Sequence, residues 1–90
     1  MAAIALRMGA ARRMGEPIQM AATQNGFFPR AFVWRGRRHD VRAVMACRTE
    51  ARRGQVRRHL FQVRTDGAVY ELAQDVAHDQ WRLEQVWGAE

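Results

Sequence analysis

Turn signals recur along this chain at intervals of about eight to fourteen residues, and that spacing leaves room only for short elements between them. Asn25-Gly26 and Asp66-Gly67 are residue pairs that tolerate the positive φ of tight hairpin turns, and Gly36 and Gly54 supply the same freedom elsewhere. Between these signals the side chains alternate with the period of a strand rather than a helix. Strands are predicted over Pro17–Thr23, Arg30–Arg35, Arg38–Thr49, Val56–Thr65, Val69–Asp75 and Trp81–Trp87. In the second, Phe32 and Trp34 share a face. In the fourth, His59, Phe61 and Val63 oppose Arg58, Gln62 and Arg64.

This pattern predicts an all-β domain over residues 16–88, a five- or six-stranded antiparallel meander. A flat meander leaves two edges exposed, so a curled half-barrel or a small closed SH3-like barrel is expected. Phe32, Trp34, Phe61, Tyr70, Leu72, Trp81, Leu83 and Trp87 are the expected core. Residues 1–15, rich in Ala, Arg and Met but interrupted by Gly9 and Gly15, are expected to form a loose or partly helical arm. Met8 and Met14 are alternative starting points for the native chain. Ninety residues hold one domain of this size and no second one.

Few chemistries survive inspection. The chain contains no serine and no Gly-rich phosphate loop, so neither a serine nucleophile nor a P-loop is available. Glu71 and Asp75 stand four residues apart on a strand, roughly 13 Å, too far for a paired-carboxylate acid and base. His39, His59, His78 and Cys47 match no compact metal-ligand spacing, and neither metal nor cofactor is expected. Cys47 shares parity with Val41, Ala43 and Met45 and is expected to be a buried, inert thiol. A lone cysteine forms no internal disulfide, which fits a reducing, cytoplasmic compartment. The apolar runs Met1–Leu6 and Val44–Cys47 are too short to span a bilayer, and no membrane partner is expected.

Charge is the unusual property. All fifteen basic residues are arginine, and they are unevenly placed. Residues 1–58 carry thirteen arginines against Glu16, Asp40 and Glu50, a balance of +10; residues 59–90 carry two against six acids, a balance of −4, giving the net +6. Two clusters stand out. Arg35, Arg37, Arg38 and Arg42 surround a tight turn beside Trp34, an arrangement that lets guanidinium groups hold phosphates while a ring stacks on a base. Arg52, Arg53, Arg57 and Arg58 flank Gly54. If the sheet brings the clusters together they form one anion-binding stripe, with the acidic C-terminal strands on the opposite face. The bland reading is that these arginines are solvated or paired with Asp40, Glu71 or Asp75.

A chain-long pattern accompanies these features: Gly15-Glu16-Pro17-Ile18, then Phe32-Val33-Trp34-Arg35-Gly36-Arg37, Val41 and Val44, His59-Leu60-Phe61-Gln62-Val63, Gly67, Val69-Tyr70-Glu71-Leu72, Asp75, and Trp81-Arg82-Leu83. In this order it resembles a family of short bacterial proteins known only as a domain of unknown function. The resemblance covers Gly15 to Trp87. Members often carry an aromatic where this chain has His39, and further tryptophans near Cys47–Arg53. The resemblance implies a compact β fold and no particular activity. The leading expectation is therefore a non-catalytic module that binds DNA or RNA through Arg35, Arg37, Arg38, Arg42, Arg52, Arg53, Arg57 and Arg58. The alternative is a protein-interaction module or homodimer using a sheet edge or an aromatic patch around Trp87.

Overall fold

Tight turns and period-two alternation produce strands, and among the described residues there is no helix. The computed structural model describes residues 10–88, and residues 1–9, where most of the expected arm falls, lie outside the described residues. The strands are β1 (Arg12–Gln24), β2 (Phe28–Trp34), β3 (Arg37–Asp40), β4 (Ala43–Arg52), β5 (Gln55–Arg64), β6 (Val69–Asp75) and β7 (Gln80–Trp87). They form one antiparallel sheet in the order β3-β2-β1-β7-β6-β5-β4. The all-β architecture is as the sequence predicts.

The strand count is seven rather than five or six, because the segment Arg38–Thr49 is not one strand. At Val41-Arg42 the chain leaves β2 and joins β5. The Val41 N–H donates to the Arg30 carbonyl at 2.8 Å, and the next N–H, of Arg42, donates to the Arg64 carbonyl at 2.7 Å. Val41 is buried at this crossing. The long β1 changes partner in the same way, with Arg12–Ile18 paired to β7 and Gln19–Gln24 paired to β2. These two transfers curl the sheet around its core. β3 and β4 do not pair, so of the two forms expected the sheet takes the open one, with β3 and β4 as its edges.

β1 also begins earlier than predicted. Arg12 pairs with Val86 and Arg13 with Gln85, and the register then shifts before Glu16. Gly15, with φ +61°, sits in that shift, where only glycine takes a left-handed conformation without strain. The Arg82 guanidinium donates to its carbonyl and pins the irregularity. The glycine that looks like the end of an arm is a bulge inside a strand.

The concave face holds Ile18, Phe32, Val41, Phe61, Val63, Tyr70, Leu72, Trp81, Leu83 and Val86. Six of the eight predicted core residues are buried; Trp34 and Trp87 are only partly so. Trp87 is displaced for a definite reason. The β6–β7 register shifts between Glu71 and Leu72, so Leu72 faces Leu83 while Glu71 faces Gln85, leaving Glu84 as the extra residue. Parity inverts beyond it, and Val86, 1% exposed, takes the inward position. On the convex face Leu60 and Ala73 are also buried, with Leu60 lying beside Arg48 and Arg58, whose aliphatic stems cover apolar surface.

Candidate nucleic-acid interface

Cross-strand geometry sorts the eight candidate arginines into two groups of four. Arg35 follows β2 in the turn, and its guanidinium donates to both carboxylate oxygens of Glu16 at 3.0 and 2.6 Å while lying 4.7 Å from the Trp34 ring centre. Glu16 Oε1 also accepts the Trp34 indole N–H at 2.8 Å. Bonds from Arg35 first, then Trp34, hold the Glu16 carboxyl below its ordinary pKa. Arg38 donates to Asp40 at 3.0 Å. Arg42, at the strand crossing, makes two parallel bonds to Asp66 at 2.9 and 3.0 Å. Arg58 bridges Glu50 at 3.1 Å and Glu84 at 3.2 Å.

Arg58 is joined on the convex face by Arg48, which reaches Glu50 at 3.1 Å and Glu71 at 3.5 Å. The acidic residues of β6 and β7 are thus interleaved with arginines of β4 and β5, and do not form a separate face. Arg48 was not among the candidates. Its only signal in the sequence is alternation on β4, which does not reveal the acids two strands away.

The other group comprises Arg37, Arg52, Arg53 and Arg57. All four are exposed, and none has a carboxylate within ion-pair distance among the described residues. Arg52 and Arg53 close β4 at its turn into β5, and Arg57 follows three residues into β5. Arg37 opens β3. The two tips are far apart. β5 pairs with β4 from Arg52↔Gln55 at one end to Ala43↔Arg64 at the other, a span of ten residues or roughly 30 Å. Arg37 borders the Arg64 end, where Arg35, Arg37, Thr65 and Gly67 line a common cleft. The single stripe expected from sequence does not form, because strand direction sends the two hairpin turns to opposite ends.

A family model described as Domain of unknown function (DUF6504) matches residues 8–88. The chain belongs to this family. The matched span contains all seven strands, both hairpin tips and the cleft between the β2–β3 turn and the Thr65–Gly67 turn. No curated protein and no solved structure matches the chain.

The histidines and the cysteine are dispersed. His59 Nδ1 lies 2.9 Å from Thr49 Oγ1, and His78 Nδ1 lies 3.2 Å from Asp75. Among the described residues no three His, Cys, Asp or Glu side chains are grouped to hold a metal. Cys47 is exposed rather than buried. Its register partner is the buried Phe61, so it stands on the concave side, but among the described residues no strand lies beyond the β4 edge to cover the thiol. Neighbouring atoms still desolvate its sulfur enough to push its pKa above the ordinary thiol value, so it is not an activated nucleophile.

His39 behaves as an aromatic side chain. Its ring stacks on Phe32 at 5.0 Å with an 18° interplanar angle and lies 5.4 Å from Tyr70. Burial first, and the Arg37 charge second, lower its pKa from 6.5, with Asp40 opposing them. Its buried Nε2 has no partner among the described residues. The unfolded chain therefore takes up this proton at a higher pH than the folded chain does. The contribution of the neutral ring is complete above about pH 6.5 and is lost as pH falls through the lower folded value. His39→Phe keeps the stacking and removes the titration, so urea denaturation of the variant should show a flatter loss of stability just below pH 6.5 than the parent chain.

Proposed function

We propose that this protein is a non-catalytic nucleic-acid-binding module whose principal phosphate contacts are made by Arg52, Arg53 and Arg57 at the β4–β5 tip. One observation carries this reading. Arg53 and Gly54 occupy a two-residue turn at φ 53° and 77°, positive at both positions as a type I′ turn requires. Asparagine, aspartate and glycine fit the first of these positions, and a long side chain does not. The same chain uses the fitting residue elsewhere, with Asn25-Gly26 at φ 56° and 66°. An arginine held in an unfavourable backbone conformation, exposed and without a carboxylate among the described residues, points to a role outside the fold. Arg35, at φ 53° before Gly36, repeats the pattern but is paired with Glu16.

Arg35, Arg38, Arg42 and Arg58 belong to ion pairs in this reading and contribute to binding only through the general field. The setting is cytoplasmic, where the exposed Cys47 thiol stays reduced. Among the described residues no helix is long and apolar enough to cross a membrane.

The test is Arg53→Asn. Relief of the backbone conformation should raise stability by about 0.5–1 kcal/mol, read from the urea midpoint. Affinity for labelled single- and double-stranded DNA and RNA, read by fluorescence anisotropy at two salt concentrations, should fall. A stabilised variant with unchanged affinity removes Arg53 from the interface.

A second reading rests on β4, a ten-residue edge strand whose outer side is unpaired and which exposes Met45 at 36%. Such an edge can add a strand from a partner or a second copy. Two register irregularities and the charges of Arg48 and Arg52 blunt it, which places this reading second. Sedimentation equilibrium tests the second-copy case, since pairing of two β4 edges requires a concentration-dependent dimer.

A further inference from the structure

The end of the sheet opposite the β4–β5 tip contains a cleft of about 620 Å³. That is within the roughly 300–1,000 Å³ of small-ligand sites. The start of β1, the β2–β3 turn and the Thr65–Gly67 turn converge on it. Three of its lining side chains are Arg12, Arg35 and Arg37, and among the described residues no carboxylate lines it. Glu16 holds Arg35, whereas Arg12 and Arg37 have no carboxylate within ion-pair distance among the described residues. Two uncompensated guanidinium groups therefore face one cavity wall without an acid to neutralise them, and an anionic ligand is the chemistry they fit.

Much of the remaining wall is aromatic. Trp34 and Tyr70 border the cleft with ring centres 6.2 Å apart. The Glu16 carboxylate fixes the Trp34 ring through its N–H, and the Arg35 guanidinium lies over the ring. Indole and guanidinium together make a rigid stacked pair, the kind of surface on which an unstacked base lies. Its rigidity lowers the ordering cost of binding. His39 lines the same cleft.

We propose that this cleft holds one unstacked, phosphorylated nucleotide, its phosphate on Arg12 and Arg37 and its base against the Trp34–Arg35 pair. A duplex is the wrong shape for it, because its base faces are already covered by neighbouring bases. The ligand class rests on the nucleic-acid reading above, but the site is distinct from the β4–β5 tip. A free nucleoside monophosphate and a nucleotide within a single strand present the same chemistry.

The experiment compares three probes on the full chain: labelled five-residue oligodeoxyadenylate, an abasic oligonucleotide of equal length and charge, and adenosine monophosphate. Binding is read by anisotropy for the first two and by the Trp34 indole resonance in ¹H–¹⁵N spectra for all three, with Trp34→Phe used to assign that resonance. The base-containing strand should bind at least about fivefold more tightly than the abasic one, the low end for one stacked base. The monophosphate should shift the indole resonance. Arg12→Gln with Arg37→Gln, at exposed positions, should abolish both effects, whereas Arg52→Gln, Arg53→Gln and Arg57→Gln together should leave the monophosphate shift intact. Equal binding of the two strands with a silent indole overturns the cleft while the phosphate-binding tip stands. An indole shift with the monophosphate but no strand binding supports the cleft as a free-nucleotide site and overturns the tip. Silence with every probe overturns both.

Discussion

Phe61→Ala is expected to remove a large share of the folding stability of this domain. Phe61 is fully buried, at 0% exposure. Its ring meets Phe27 edge-on at 5.1 Å, Trp81 at 5.5 Å and Phe28 at 6.2 Å. It thus joins β5 to β7 within one half of the curl and to β2 in the other. Truncating a buried phenylalanine costs about 3–5 kcal/mol in transfer and cavity terms. At roughly 0.05–0.15 kcal/mol per residue, a domain of this length has only about 5–13 kcal/mol to lose. Urea denaturation followed by near-ultraviolet circular dichroism reads the loss directly. Phe61→Leu should fall between the two. A Phe61→Ala midpoint within about 1 kcal/mol of the parent chain would mean that the two halves of the sheet do not share a core.

The residues around Phe61 show how far alternation can be read. Phe61 and Val63, Tyr70 and Leu72, and Trp81 and Leu83 fall on the concave face as period two requires. Each failure of the pattern occurs where a strand contains one residue more than its partner. Glu84 turns Val86 inward and Trp87 aside, the shift at Met45 alters the parity of β4, and Gly15 extends β1 into what looks like an arm. A bulge is a single residue without a compositional signature, so it becomes visible only when the partner strand is placed. The crossing at Val41-Arg42 is hidden for a related reason. The chain bends at Arg42 as its hydrogen-bond partners change, and neither glycine nor proline marks the place.

The same limit governs the arginines. Sequence identifies Trp34-Arg35-Gly36-Arg37 and Arg52-Arg53-Gly54 as basic turns, and both are turns. Which guanidinium is neutralised depends on carboxylates far along the chain, such as Glu84 for Arg58 and Asp66 for Arg42, separated by 26 and 24 residues. Arg12 joins the cleft only because the bulge at Gly15 allows β1 to start early. Charge counted along the chain therefore overstates the number of free cations, and strand direction decides where the free ones sit.

Replacing Arg52, Arg53 and Arg57 together by glutamine is expected to remove most of the salt dependence of nucleic-acid binding. Three phosphate contacts give a log–log slope of about −2.7 on duplex DNA, a loss of about fortyfold in affinity for a fourfold rise in salt. The triple variant should approach a flat response, with its largest loss of affinity at low salt. The decisive control substitutes Arg38, Arg42 and Arg58 in the same way, which lowers the net charge equally, from +6 to +3. That control also leaves Asp40, Asp66, Glu50 and Glu84 without these partners, so its general field is less favourable to an anion. Exposed ion pairs add little to stability, and the control should remain folded. At about 0.1 M salt, exposed charges more than roughly 10 Å from a phosphate are largely screened. A local contact therefore predicts a steep slope retained in the control and lost at the tip. Equal slopes in the two triple variants would show that net charge alone attracts the polymer, and would remove the β4–β5 tip as a site.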